Sequence, residues 1–536
     1  MTELLPEKAV DLPHSAVRIE VRGDRSPGQV QVLRLGDVVA ETPYEGGTWI
    51  ELAPLPEGAY GVELLREGAV IARTALDVSG DARRRLRYGF VAAYPPDADP
   101  APITDTVRRL HLTGVQFYDW AYRHAALLGG GDDYLDALGQ PVSLDTVRRY
   151  VHAVHERGAD ALGYAAVYAV GPGEWAAWEQ DALLDPTGAP YALGDFLFIV
   201  DPAAPDWLTH LRAELTASVA QLGFGGFHLD QYGYPKRAER ADGVVVDVAE
   251  SFAALLAGVR EELPGSRLVF NQVNDFPTWR TASSEQDAVY IEPWEPQLTL
   301  GALGATVTRA RLLGEGRPVV LAAYQHVYDS AAADAADRAT RLTMATLFSH
   351  GATQLLAGEG DRILVDPYYV RNHVAEASTA AMLRRWYDFL VEHDELLLDP
   401  ALPEVTAAYA GDYNGDCDVR YAAAAVSEEA VAGKVWRRIT AAGDRLVVHL
   451  VNLVGQSDTL WDAAREPFGA PGAGELRVRP LRGRVPRIRV ADPDAEGRLI
   501  DVPLRSDGDV VVAELPALEA WQLVLVEFDT PREERS

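Results

Sequence analysis

Cysteine is nearly missing from this sequence: of 536 residues, only Cys417 carries a thiol. One thiol excludes a disulfide framework and any cysteine-based metal site. Positive charge is also scarce. Lys and Arg total 49 against 80 Asp and Glu, a net charge of −31, and nearly all the basic residues are Arg. Such a surface repels nucleic-acid phosphates and anionic membranes, so neither is expected as a partner. Neutral, hydroxyl-rich or cationic substrates remain. No apolar run approaches the roughly 18 residues of a membrane span. The opening "MTELLPEKAVDLPHSAV" has no basic segment followed by an apolar one, so no secretory signal is read there. The expectation is a soluble chain, cytoplasmic as it stands and secreted if an export signal has been removed. There is no P-loop, no GxSxG elbow and no HExxH helix.

What remains is an ordinary globular composition, 48% hydrophobic and 24% charged, in a chain too long for one core. Residues 16–80 read as short alternating strands with Gly and Pro between them, a small β-sandwich. From about residue 86, apolar runs alternate with helical patterns. Eight strands are predicted, at 88–94, 114–120, 161–169, 225–231, 267–273, 287–294, 318–324 and 351–358. Helices separate them. Over 145–158, Val147, Tyr150, Val151 and Val154 form a stripe that Gly158 closes. Over 206–222, Leu208, Leu211, Leu215, Val219 and Leu222 do the same before Gly223. After about residue 400 strands return as a second sandwich, followed by the acidic tail "EFDTPREERS". The predicted fold is α/β: a (β/α)8 TIM barrel at 86–398, with a β-sandwich at 1–85 and another at 399–536. A doubly wound sheet is the competitor, but "FVAAYPPDADP" is not the phosphate loop it usually carries after its first strand.

Barrel chemistry is built at the C-terminal ends of the strands. Strand two ends in Tyr118, Asp119 and Trp120, with His124 just beyond. Strand three offers Tyr164 and Tyr168. Strand four ends in His228, Asp230 and Gln231; strand five in Asn271 and Asn274; strand six in Tyr290, Glu292 and Trp294; strand seven in Tyr324; strand eight leads to Glu359 and Asp361. Carboxylates and amides bind hydroxyls, aromatic rings cover sugar faces, and glycoside cleavage needs two carboxyl groups flanking one bond. Asp230 and Glu292 can meet across the mouth. A lone Asp at a strand end is more often a helix cap; two acids among aromatics and amides shift the balance towards function. Glu295, past Pro293, is a rival acid in the loop. Arg123 and His124 can neutralise Asp119. His228 and Asp230 share a strand face and can share a metal, but His124 and His326 are isolated, so no metal and no cofactor are expected. The predicted substrate-binding residues are Tyr118, Asp119, Trp120, His124, Tyr164, His228, Gln231, Asn274, Trp294 and Tyr324, with Tyr118, Trp120 and Trp294 as stacking platforms. His228 is expected to bond substrate or Asp230.

The blocks "GVQFYDWAYRHAALL" (114–128), "GFGGFHLDQYG" (223–233), "NQVNDF" (271–276), "DAVYIEPWE" (287–295), "VVLAAYQ" (319–325) and "HLVNLVGQSDTLWDA" (449–463) resemble glycoside hydrolase family 66, the family of bacterial dextranases and cycloisomaltooligosaccharide glucanotransferases. "GFHLD" by itself also resembles the strand-four motif of the α-amylase superfamily, where an Arg precedes the Asp by two; here that place is His228. The resemblance implies an immunoglobulin-like N-terminal domain, a catalytic barrel and a C-terminal β-sandwich. It implies a retaining mechanism on α-1,6-glucan, dextran or isomalto-oligosaccharides, with Asp230 as nucleophile, Glu292 as acid/base and Asp119 holding the attacked sugar. Two departures are visible. Ala165 follows Tyr164 where the family has Asn. There is also no room between the barrel strands for the large carbohydrate-binding insertion of the glucanotransferases, which favours hydrolysis. Transglycosylation and non-catalytic glucan binding are the alternatives. Chain-length preference, endo or exo action and oligomeric state are left open.

Overall fold

In the computed structural model, which describes residues 2–411, 414–480 and 486–528, eight parallel strands form the centre of the molecule. They are β1 Tyr88–Val91, β2 Gly114–Phe117, β3 Asp160–Ala166, β4 Gly226–Asp230, β5 Arg267–Val273, β6 Ala288–Glu292, β7 Val319–Leu321 and β8 Ala352–Gln354. Each pairs with its neighbour in chain order. The β1–β8 seam is bridged by the Thr353 hydroxyl, which donates to the Leu86 carbonyl. All eight strands lie where the apolar runs placed them. Most are shorter than the runs because the C-terminal residues turn into the loops that form the mouth. The acidic tail lies largely outside the described residues, which end at Phe528.

The two-residue period of the strands sorts their side chains into two layers. Tyr88, Phe90, Leu162, Val269, Tyr290 and Val320 fill the barrel interior. Leu229, Phe270, Ile291 and Leu321 pack outwards against the helices. Gly226 opens β4 because a Cβ there would come within 1.9 Å of the Arg267 carbonyl oxygen on β5.

The helix Leu144–Glu156 buries Val147, Tyr150, Val151 and Val154, as predicted. The helix Pro205–Leu222 ends in Gly223, at φ 80°, whose N–H returns to the Val219 carbonyl. Its buried stripe is Trp207, Leu211, Leu215 and Leu222, while Leu208 and Val219 are only half-buried. Trp207 sets this rotation: its indole N–H donates to the Val167 carbonyl at 2.8 Å, so the largest ring on the helix faces the barrel.

Residues 3–78 form two antiparallel sheets, of three and four strands. Strand Asp37–Tyr44 escapes sequence reading because nearly all of it is exposed and shows no alternation. The C-terminal region forms sheets of four and six strands around Val435, Ile439, Leu476 and Val524. One barrel helix, Ala377–Glu392, anchors both ends of the chain. Its Trp386 and Phe389 pack on Trp521 at 5.8 and 5.1 Å between ring centres. On the other side, Asp388 accepts from the Thr74 hydroxyl and Ala75 N–H, each at 3.1 Å. Glu392 lies against Gly61, where a Cβ would be 2.6 Å from its carboxyl oxygen. Among the described residues no helix is long and apolar enough to cross a membrane.

Candidate active site

The C-terminal ends of the strands converge on a cavity of about 280 Å³. On β4 the period of two turns His228 and Asp230 inwards and Leu229 outwards. On β6 it does the same for Tyr290 and Glu292. Asp230 Oδ2 accepts from the Tyr164 hydroxyl at 2.7 Å, and Oδ1 accepts from Asn271 Nδ2 at 2.7 Å. Glu292 Oε2 accepts from the same Asn271 nitrogen at 2.8 Å, and Oε1 from Trp294 Nε1 at 2.9 Å. One amide nitrogen therefore bonds both acids. The two distances limit the gap between the bonded oxygens to about 5.5 Å, within reach of a retaining pair.

Burial pushes Glu292 up to about 7, and the Asp230 charge adds to the rise; Asn271 and Trp294 oppose it. Burial also raises Asp230, against the pull of Tyr164, Asn271 and the Gln231 N–H. Asp230 has the better donors, so the charge of the pair rests on Asp230 and the proton on Glu292. No Lys or Arg lines the cavity among the described residues. The rival acid Glu295 does not enter it and is exposed in the loop; Glu359, beyond strand eight, accepts from the Ala93 N–H at 2.9 Å.

Asp119 lies in the cavity wall at φ 44°, a left-handed conformation that few non-glycine residues adopt. Burial, then Asp136 and Asp230, raise it to about 8, so at neutral pH it carries a proton and can donate as well as accept. The alternative, that Arg123 and His124 neutralise it, does not hold. Arg123 lies over the Tyr122 ring at 4.1 Å and donates to the Leu135 carbonyl. His124 is held neutral by burial, at about 4. It does line the cavity, and its Nε2 is buried without a hydrogen-bond partner among the described residues.

His228 lies at the cavity floor between the rings of Tyr88 and Tyr164, 5.9 and 6.1 Å away, with Tyr290 edge-on at 4.7 Å. Its Nδ1 pairs with the Tyr88 hydroxyl at 3.2 Å, not with Asp230. Burial lowers it to about 3, so it is neutral. No group of three or more His, Cys, Asp or Glu able to hold a metal occurs among the described residues.

Tyr118, Tyr164, Tyr324 and Trp294 line the cavity. Three predicted contacts need correction. Trp120 is fully buried; its indole N–H donates to the Tyr164 carbonyl at 3.1 Å and its ring packs on Phe224, so it supports the site from behind and offers no sugar platform. Gln231 borders the cavity, but its amide is occupied by the backbone of Asn271, Phe276 and Gly233. Asn274 lies outside the cavity lining. Its Nδ2 donates to the Glu295 carbonyl and its Oδ1 accepts from the Trp294 N–H, which fixes the loop carrying Trp294.

Sequence reading chose Asn274 over Asn271, although the strand period already set Asn271 in phase with inward Val269. It missed Tyr369, which has no motif. That ring arrives from the loop after β8, stacks on Tyr118 at 4.4 Å and brings its hydroxyl to 3.3 Å from both the Tyr290 hydroxyl and Gln116 Oε1. The segment around "DTLW" has a structural task. Trp461 Nε1 donates to the Gln297 carbonyl at 2.7 Å and Asp462 accepts from the Val327 N–H at 2.8 Å, so the C-terminal region braces the loops after β6 and β7.

A family model described as glycosyl hydrolase family 66 matches residues 58–525. A cycloisomaltooligosaccharide glucanotransferase of Niallia circulans is 26% identical over 326 residues, 54% of this chain and 33% of that protein. A second protein of the same name from Niallia circulans is 23% identical over 286 residues, 47% of this chain and 29% of that protein. The chain thus spans about a third of the length of the curated relatives it matches. Among solved structures, a cycloisomaltooligosaccharide glucanotransferase of Paenibacillus sp. complexed with cycloisomaltoheptaose superposes with a TM-score of 0.86 at 18% identity, covering 98% of this chain and 100% of that one. An α-L-fucosidase of Paenibacillus thiaminolyticus superposes at 0.57 and 9% identity, covering 83% and 100%. At these identities the structural likenesses describe the fold.

Proposed function

The chain belongs to glycosyl hydrolase family 66, and on that premise we propose that it cleaves α-1,6-glucosidic linkages of dextran or isomalto-oligosaccharides with retention of configuration. Asp230 attacks the anomeric carbon while Glu292 protonates the leaving oxygen, giving a covalent glycosyl-enzyme. Glu292, now ionised, takes a proton from water, and water displaces Asp230. The observation that carries this reading is the single Asn271 nitrogen bonded to both acids, which keeps the bonded oxygens within about 5.5 Å of each other, the carboxyl spacing of a double displacement. Asp119 with its proton, neutral His124 and Tyr324 meet sugar hydroxyls, and Tyr118 and Trp294 cover ring faces.

Proton NMR during digestion of isomaltotetraose, with chromatography of the products, tests the proposal. The α-anomer forming first supports it. A first-formed β-anomer sinks retention, and binding without release of reducing ends would make the protein a glucan-binding module. A second reading replaces water by a sugar hydroxyl in the second step. It is favoured by the names of the relatives, which are glucanotransferases. Longer or cyclic products at high isomalto-oligosaccharide concentration identify it.

A further inference from the structure

Among the barrel strands β5 alone neighbours both acid-bearing strands, so an inward residue of β5 is placed to reach Asp230 and Glu292 together. Asn271 is that residue, 2% exposed. Its two N–H bonds go to the two acids. Its Oδ1 is buried and has no hydrogen-bond partner among the described residues. The reversed amide would set its oxygen against two carboxyl oxygens and require a proton on each. The acids themselves therefore fix the amide, and no other bond of its side chain competes.

We propose that Asn271 is the positioning residue of the pair: it holds the two carboxyl groups at the spacing of a double displacement and shifts its donor strength from one to the other as the charge moves. This rests on the glycosidase reading above. In the first step a bond forms from an Asp230 oxygen to the anomeric carbon, the bond from that carbon to the leaving oxygen breaks, and the Glu292 proton goes to the leaving oxygen. Asp230 is then an ester, a weak acceptor, and Glu292 is an anion. The amide now favours Glu292, because hydrogen bonds to charged acceptors are the stronger ones. This stabilises the base that the second step needs. When the acceptor oxygen bonds the anomeric carbon, its proton goes to Glu292, the bond to Asp230 breaks, and the donor returns to Asp230. A transfer reaction uses the same cycle, so the proposal does not depend on which acceptor is used.

The test compares pH profiles of kcat and kcat/KM on isomalto-oligosaccharides for the wild type, Asn271→Ala and Asn271→Ser. A donor shared by both acids favours both ionised forms, so its loss moves both limbs to higher pH. Asn271→Ala is expected to shift each limb by about half a unit or more, with kcat at least 100-fold lower and KM within threefold. Asn271→Ser, whose short hydroxyl reaches one acid at most, shifts one limb and spares the other. Slower variants with both limbs unmoved overturn the proposal, because a purely structural residue would behave that way. If Asn271→Ala does not fold, Asn271→Ser decides alone. A carbon-13 titration of the two carboxyl groups in the wild type is a further check: independent titration curves also overturn it. A folded wild type that releases nothing from any α-glucan defeats the functional reading instead, and the carbon-13 titration of Asn271→Ala still decides the role of Asn271.

Discussion

Replacing Glu292 by Gln removes the acid on which the proposed reaction depends, and it should make the protein more stable in alkali. Glu292 rises from 4.5 to about 7 on folding. A group raised in this way contributes fully below its unfolded value and loses that contribution as pH climbs through the folded value. The loss therefore runs from about pH 4.5 to just above 7. At roughly 1.4 kcal/mol per unit, ionising Glu292 beside Asp230 costs the folded state about 3 kcal/mol. Gln, like the protonated acid, keeps one carbonyl oxygen, for either the Asn271 or the Trp294 donor, and never ionises. A barrel of roughly 300 residues unfolding with about 2.1 cal/mol/K per residue converts that energy into a rise of about 5 °C in Tm. Thermal unfolding followed by circular dichroism at pH 4.5 and pH 9 is the assay. Glu292→Gln should match the wild type at pH 4.5, exceed it by several degrees at pH 9, and turn over dextran several orders of magnitude more slowly. A variant no more stable than the wild type at pH 9, or stabilised equally at both pH values, would refute the claim that Glu292 is an acid strained by its site.

Other substitutions separate the remaining roles. Asp230→Ala should lower kcat by several orders of magnitude; with added azide it should give the β-glycosyl azide, because one displacement inverts, whereas Glu292→Ala with azide should give the α-azide, and mass spectrometry with NMR tells the two apart. Trp294→Phe keeps a ring for the sugar but removes the N–H that bonds Glu292 Oε1 at 2.9 Å; the alkaline limb of kcat/KM should move to higher pH. Trp120→Phe removes the bond to the Tyr164 carbonyl and leaves a small void; it should cost about 1–3 kcal/mol in denaturant unfolding with KM within twofold, while a tenfold rise in KM would restore Trp120 as a sugar platform.

The barrel was legible because its strands are buried on both sides and read as apolar runs between helical stripes. Asp230 and Glu292 were legible because strand period and strand order together place two acids at one mouth. Other features depend on contacts that no local pattern carries. Trp120 and Trp294 look alike at the ends of their strands, but Trp120 turns down onto Phe224 while Trp294 remains 41% exposed. Asn274 and Asn271 differ by three positions, and the turn after β5 breaks the period between them. Tyr369 comes from a loop 77 residues beyond Glu292 in the chain, and only the closed barrel sets its ring on Tyr118. The exposed strand Asp37–Tyr44 lacks the alternation by which strands are recognised.

The charge balance of the cavity explains how three acids coexist there without a basic side chain. Glu292 and Asp119 are held up to about 7 and 8, and burial keeps His228 and His124 neutral. Below about pH 7 the cavity therefore carries little more than the charge of Asp230. A neutral sugar gains nothing from that charge in the ground state, whereas an anomeric carbon developing positive charge does, so the attraction strengthens as the bond breaks. A Lys or Arg among these acids would lower Glu292 and remove its proton at working pH. The missing cation is thus as much a part of the proposed chemistry as the two carboxyl groups: it keeps one acid protonated beside its ionised partner.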